Sequence, residues 1–129
     1  MISILLAVAM IIPGGSPRTI TGFATWYDAN RHGQSSWYTR QGIKYYGAEG
    51  PKLRKAHSFV RAWNGSYKVK VTSRLTGRSI IVDVVDWCSC YGGSTIDLAP
   101  AVWNYLGVRL GRGIMPVVVE LDWRTEHGR

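Results

Sequence analysis

Two stretches, "SYKVKVTSRL" (66–75) and "SIIVDVVD" (79–86), constrain this chain more than any other part of it. Both are rich in β-branched residues, and between them stand Thr76, Gly77 and Arg78, a short polar link of the kind that closes a β-hairpin. Side chains alternate faces along a strand, so Ile80, Val82, Val84 and Asp86 share one side. The first three belong in a core. Asp86 therefore ends a core-facing row, unless a bulge shifts the register. Asp83 falls on the opposite face with Ile81 and Val85 and reads as a solvated strand charge.

The remaining segments fit around this hairpin. "TITGFATWYD" (19–28) reads as a first strand and "GIMPVVVELDW" (113–123) as a closing one. "STIDLAPAVWNYLG" (94–107) reads as a short strand followed by a helix from Pro100 to Leu106, with Pro at the first helical position and Gly107 at the end. Ala99 makes a poor N-cap there, costing roughly 1 kcal/mol relative to Ser. Residues 29–56 show no period and read as long surface loops, the usual place for a binding surface. Within them "KLRK" (Lys52 to Lys55) reads as a solvated loop. With 15 glycines and 46% hydrophobic residues, the chain suits a mainly β domain with tight turns and a real core.

The 129 residues divide into an apolar leader (1–18), one domain (19–123) and a polar tail (124–129). The uncharged run from Ile2 to Ile12 is too short for a membrane span, which needs roughly 20 residues. It suits the core of a signal peptide, although the usual basic start is missing; a structural strand or an anchor is the other reading. If it stays attached, it is the expected point of membrane contact.

Sixteen Lys and Arg against eight Asp and Glu give a formal charge of +8, which favours polyanionic partners: nucleic acid, anionic membrane or acidic wall polymers. The positive residues are scattered from Arg18 to Arg129 rather than gathered in one patch. Cys88 and Cys90 are spaced C-x-C, which in an extended strand puts their Cα atoms near the upper limit for a disulfide. Free thiols are the default reading and a strained bridge the alternative. No second close pair of ligands suggests a metal site, and no cofactor is implied.

Taken in order, "GFATWYD", "KAHSFV", "VKVTSRLTGRSIIVDVVD", "STIDLAPAVWNYLG" and "GIMPVVVEL" resemble the rare lipoprotein A family, related to expansins and barwin-like domains. The resemblance spans residues 21–121 and implies a six-stranded double-psi β-barrel with one or two short helices and a polysaccharide-binding groove. It also implies the site: Asp86 stands at the family's N-D-R-G-P aspartate, Asp97 at its I-D-L-S aspartate, His57 at its A-A-H histidine, and Thr25, Trp26 and Tyr27 at its S-W-Y positions. Here Trp87-Cys88-Ser89 replaces R-G-P, and Val85 replaces the usual Asn.

Members of that family cleave peptidoglycan strands as lytic transglycosylases. One carboxyl with a raised pKa serves such a reaction, first protonating the glycosidic oxygen and then taking the proton from the sugar's own hydroxyl. Asp86, ending an apolar row beside Trp87, suits that part, with His57 orienting or charge-balancing it; turn formation is its structural alternative. Asp97 is either a second groove acid or a stabiliser of the following helix through its dipole. Six Trp and seven Tyr exceed what a small core needs, and their faces suit sugar rings. Trp26, Tyr27, Trp87 and Tyr91 are the candidate sugar contacts, with Trp37, Tyr38, Tyr45 and Tyr46 in the neighbouring loops.

The leading expectation is thus a monomeric lytic transglycosylase-like enzyme acting on peptidoglycan or a related acidic wall polysaccharide. Such a protein is secreted, periplasmic, cell-wall associated or, if phage-encoded, virion-associated. The second is a non-catalytic, expansin-like wall-binding module. A single-strand nucleic-acid binder using aromatics on a small barrel is the third, and the apolar leader and the I-D-L motif argue against it.

Overall fold

The computed structural model describes residues 19–31, 36–60 and 66–121. The apolar leader and the polar tail read from the sequence lie outside these residues. Six strands, β1 (Thr19–Trp26), β2 (Tyr46–Glu49), β3 (Tyr67–Ser73), β4 (Ser79–Trp87), β5 (Ile96–Leu98) and β6 (Met115–Glu120), close into a barrel in the order β1-β5-β2-β4-β3-β6. The pairs β1/β5 and β2/β4 are parallel, and the other four are antiparallel. Three short helices accompany them: α1 (Trp37–Arg40), α2 (Pro51–Val60) and α3 (Pro100–Leu106).

The period of two read from the sequence fills the barrel. Val69 and Val71 of β3, Val82 and Val84 of β4 and Val117 and Val119 of β6 are all at 0% exposure. Each such valine contributes roughly 1.5–3 kcal/mol by leaving water. The β3–β4 hairpin forms as expected, with Gly77 at φ 80° in the connection, where a side chain would be strained. The helix from Pro100 to Leu106 also forms as expected. Ala99 supplies no side-chain cap, and Gly107 ends the helix in the left-handed region. Trp103 of α3 is fully buried, and its indole Nε1 donates to the Thr25 carbonyl at 3.0 Å, fixing the helix against β1.

The stretch 29–56 departs from its expected loop character. It contains α1, β2 and the start of α2, and β2 lies inside the sheet between β5 and β4. A four-residue strand containing Gly47 offers no readable period, and the glycine sits in a tight space: a Cβ there would press on Leu98 Cδ2 and Val82 Cγ1, each at 3.2 Å. Gly50 follows, and its Cβ would overlap the Ser94 carbonyl oxygen, so the chain passes directly from strand to helix only with glycine. "KLRK" is part of α2 rather than a loop. Leu53, Ala56 and His57 form its buried stripe at helical spacing, while Lys52 and Lys55 face water.

The cysteines are a second correction, since Cys88 and Cys90 are joined in a disulfide. The extended geometry that argued for free thiols ends at Trp87. Beyond it the chain bends, and the two Cα atoms stand 4.8 Å apart, within the range a bridge needs.

Candidate functional site

Ala48 is the centre of the site. It pairs with Asp97 of β5 on one side and with Asp86 of β4 on the other, while Asp97 pairs with Thr25 of β1. Residues in register across neighbouring strands point to the same side of a sheet. Thr25, Asp97, Ala48 and Asp86 therefore make one row across four adjacent strands, on the side away from the barrel interior. Three inter-strand steps span roughly 14 Å.

Asp86 joins this row because of a bulge. Gly47 pairs with Val84 and Ala48 with Asp86, so Val85 is the extra residue on β4. In regular register Asp86 would follow Val82 and Val84 into the core. The bulge turns it outward instead and leaves Val85 buried at 6% exposure.

Each carboxylate has its own hydroxyl partner. Thr25 Oγ1 donates to Asp97 Oδ1 at 2.8 Å and lies 3.0 Å from Ser94 Oγ. Burial raises the Asp97 carboxyl above the ordinary carboxylate range, and the Thr25 hydrogen bond offsets part of the rise. Asp86 Oδ2 accepts from the Tyr38 hydroxyl at 3.2 Å, and Oδ1 accepts from the Trp87 amide at 2.8 Å. The Tyr38 and Tyr27 hydroxyls are 3.0 Å apart, and both rings pack on Tyr46, with centroids 5.2 and 5.4 Å away. Burial holds the Tyr27 and Tyr38 phenols protonated by pushing their pKa values upward. The tyrosine cluster thus supports Asp86 through the Tyr38 hydroxyl.

Two indoles follow the row's ends in sequence but alternate to the other side of their strands, Trp26 in register with Leu98 and Trp87 with Glu49. Trp26 and Trp87 each end a strand, next in sequence to the row's terminal members, and are 39% and 60% exposed. Trp26 Nε1 donates to the Leu110 carbonyl at 3.0 Å, while the Arg54 guanidinium sits over the Trp87 ring at 4.7 Å. Trp37 is also exposed. The side chain of Tyr91 lies outside the described residues.

His57 is placed elsewhere. It is buried at 2% exposure, its ring is stacked on Tyr67 at 3.9 Å, and its Nδ1 is 4.0 Å from Glu49 Oε1. Glu49 follows Ala48 on β2 and so points to the opposite side of that strand from the two aspartates. There it accepts from the Tyr67 hydroxyl at 2.6 Å, and burial raises its carboxyl above the ordinary range. Glu49, Ala48 and Ser94 were not recognisable as site neighbours from the sequence. Ala48 and Ser94 carry no distinctive chemistry, and Glu49 lay in a segment without period. Among the described residues, no group of three His, Cys, Asp or Glu side chains could hold a metal ion.

No protein-family model matches the sequence. Ripening-related protein 6 of Oryza sativa subsp. japonica is 42% identical over 53 residues, covering 38% of this chain and 32% of that one. An Asp-to-Asn mutant of the Clavibacter michiganensis expansin, in complex with cellohexaose, superposes with a TM-score of 0.53 at 21% identity over 78% of this chain. The apo form of that expansin gives 0.54 at 24% identity, and this chain covers 48% of either structure. The Streptomyces papain inhibitor gives 0.50 at 21% identity, covering 80% of this chain and 93% of that one. The chain thus spans about a third of its curated relative and about half of the expansin structures. These likenesses show the fold: the barrel is a double-psi β-barrel.

Proposed function

We propose that this domain is an extracellular, expansin-like module that binds a wall polysaccharide along the Thr25–Asp97–Ala48–Asp86 row. The carrying observation is the in-register row itself: two hydroxyl-held carboxylates on either side of an alanine, with exposed indoles only at the strand ends beyond it. Carboxylates and hydroxyls suit the hydroxyl groups of a sugar chain, and indoles suit its ring faces. The expansin complexed with cellohexaose, which has the same fold, makes a β-glucan the first ligand to try.

Lytic cleavage of peptidoglycan is the second reading, and the raised pKa of Asp97 favours it. A carboxyl that burial makes hold its proton more tightly than a free one can donate that proton to a glycosidic oxygen, and Thr25 would hold the carboxyl in place. In this version Asp97 is the acid and Asp86 a substrate-orienting partner.

Incubation with cellulose and with peptidoglycan sacculi, followed by mass analysis of the supernatant, separates the two readings. The binding module retains polysaccharide and releases no soluble product. Anhydromuramyl ends, lost in Asp97→Asn, would replace it with the transglycosylase. Failure to bind either polymer would sink both.

A further inference from the structure

On another part of the surface, a cavity of about 540 Å³ opens between the β3–β4 connection, the end of α3 and the turn 110–112. Leu75 and Val108 give it apolar walls, Gly107 and Gly111 leave its floor open, and Arg109 and Arg112 line it with positive charge. A third guanidinium, Arg78, stands beside Gly107 with its Nη1 donating to the Tyr105 carbonyl at 3.0 Å. Among the described residues no acidic side chain lines the cavity. Among the described residues neither Arg109 nor Arg112 has a carboxylate within ion-pair reach, whereas Lys68 and Lys70 pair with Asp83 and Glu120.

We propose that this cavity is an anion subsite that recognises a carboxylate or phosphate substituent of an acidic wall polymer. The proposal rests on the glycan-binding reading, since the polymer lying on the groove brings its anionic group to the cavity. Guanidinium groups present a rigid fork of donors that matches either oxyanion, and apolar walls limit the water competing for it. The cavity is also tied to the groove. Leu110, between the two arginines, accepts the hydrogen bond of Trp26, the residue after Thr25. A polymer passing Trp26 therefore meets the arginines next, and the +8 charge of the chain favours its approach.

Three polymers test this: polygalacturonate for the carboxylate, poly(glycerol phosphate) for the phosphodiester and cellohexaose as the neutral control. They are compared on the unaltered protein, on Arg109→Ala/Arg112→Ala and on Lys44→Ala/Lys52→Ala, which removes the same charge from exposed residues elsewhere. The subsite predicts roughly a tenfold loss for one or both anionic polymers in the arginine variant. The lysine variant should lose less than about twofold, as expected for screened, distant charge. The polymer that responds identifies the oxyanion. Arg109→Lys/Arg112→Lys, which keeps the charge without the fork, should recover only part of the loss. Equal losses in the alanine variants, no loss in the arginine variant, or a parallel loss for cellohexaose overturns the proposal. So does arginine-dependent binding of single-stranded DNA tighter than that of either wall polymer. If cellohexaose binds none of the proteins while the arginine effect stands, the groove reading fails and the subsite remains.

Discussion

Asp86 and Asp97 pair with the two sides of a single residue, Ala48, so the carboxylates face the same way with only a methyl group between them. Asn at either position keeps the size and removes the charge. Each single substitution should weaken glycan binding roughly tenfold, the usual worth of a hydrogen bond to a charged group, while the unfolding midpoint stays near that of the parent. Titration calorimetry with cellohexaose, beside a thermal melt, measures both. Unchanged affinity in both variants would place the glycan elsewhere.

The sheet absorbs one extra residue beside Asp86. Deleting Val85 removes the bulge and places Asp86 directly after Val84, opposite Ala48, so strand alternation keeps the carboxylate outward. The expected cost is that of the lost buried valine, about 1.5–3 kcal/mol. Cellohexaose affinity should stay within about threefold of the parent. Denaturant unfolding and titration calorimetry check this, and a binding loss of roughly tenfold or more would show that the bulge itself aims the carboxylate.

Stability should depend on pH through two acids that folding takes out of water, Glu49 fully and Asp97 in part. Asp97 and Glu49 both have carboxyls raised above their ordinary values of 3.8 and 4.5, burial being the main cause. Each binds its proton more tightly in the folded chain than in the unfolded one. Its contribution is therefore fully present below the unfolded value and is lost as pH rises through the raised folded value. The denaturant midpoint should increase on going from about pH 7 to about pH 5, and Asp97→Asn should flatten part of that increase. A slope unaffected by Asp97→Asn would mean that its carboxyl titrates alike in both states.

Replacing Cys88 and Cys90 with Ser should leave the fold intact. The bridge closes a loop of three residues, for which chain entropy predicts only about 1.6 kcal/mol. Comparing unfolding of the double variant with the oxidised parent tests this, and a loss of several kcal/mol would show that the bridge also organises the turn after Asp86.

What the sequence made legible was local. The β3–β4 hairpin, the Pro100–Gly107 helix and the barrel strands on either side of them follow from period, turn residues and caps that act within a few positions. Thr25 and Asp97 were legible as a pair only through family resemblance, since 72 positions separate them. The bulge at Val85 has no signature beyond a run of valines and isoleucines, which suits either register. β2 was hidden for a different reason: its four residues owe their strand conformation to β4 and β5 on either side, not to their own propensity. His57 matched a sequence pattern, but the position of Glu49 one step past Ala48 places that histidine behind the strand.

A barrel that closes on itself bears on crowding at a surface. Every described strand has a neighbour on both sides, so none offers a bare row of amide and carbonyl groups to another molecule. Copies packed densely along a polymer fibre would then have no strand edge through which to zip together. Their spacing would follow from the repeat of the fibre and their mutual positive charge, and they could be washed off one at a time.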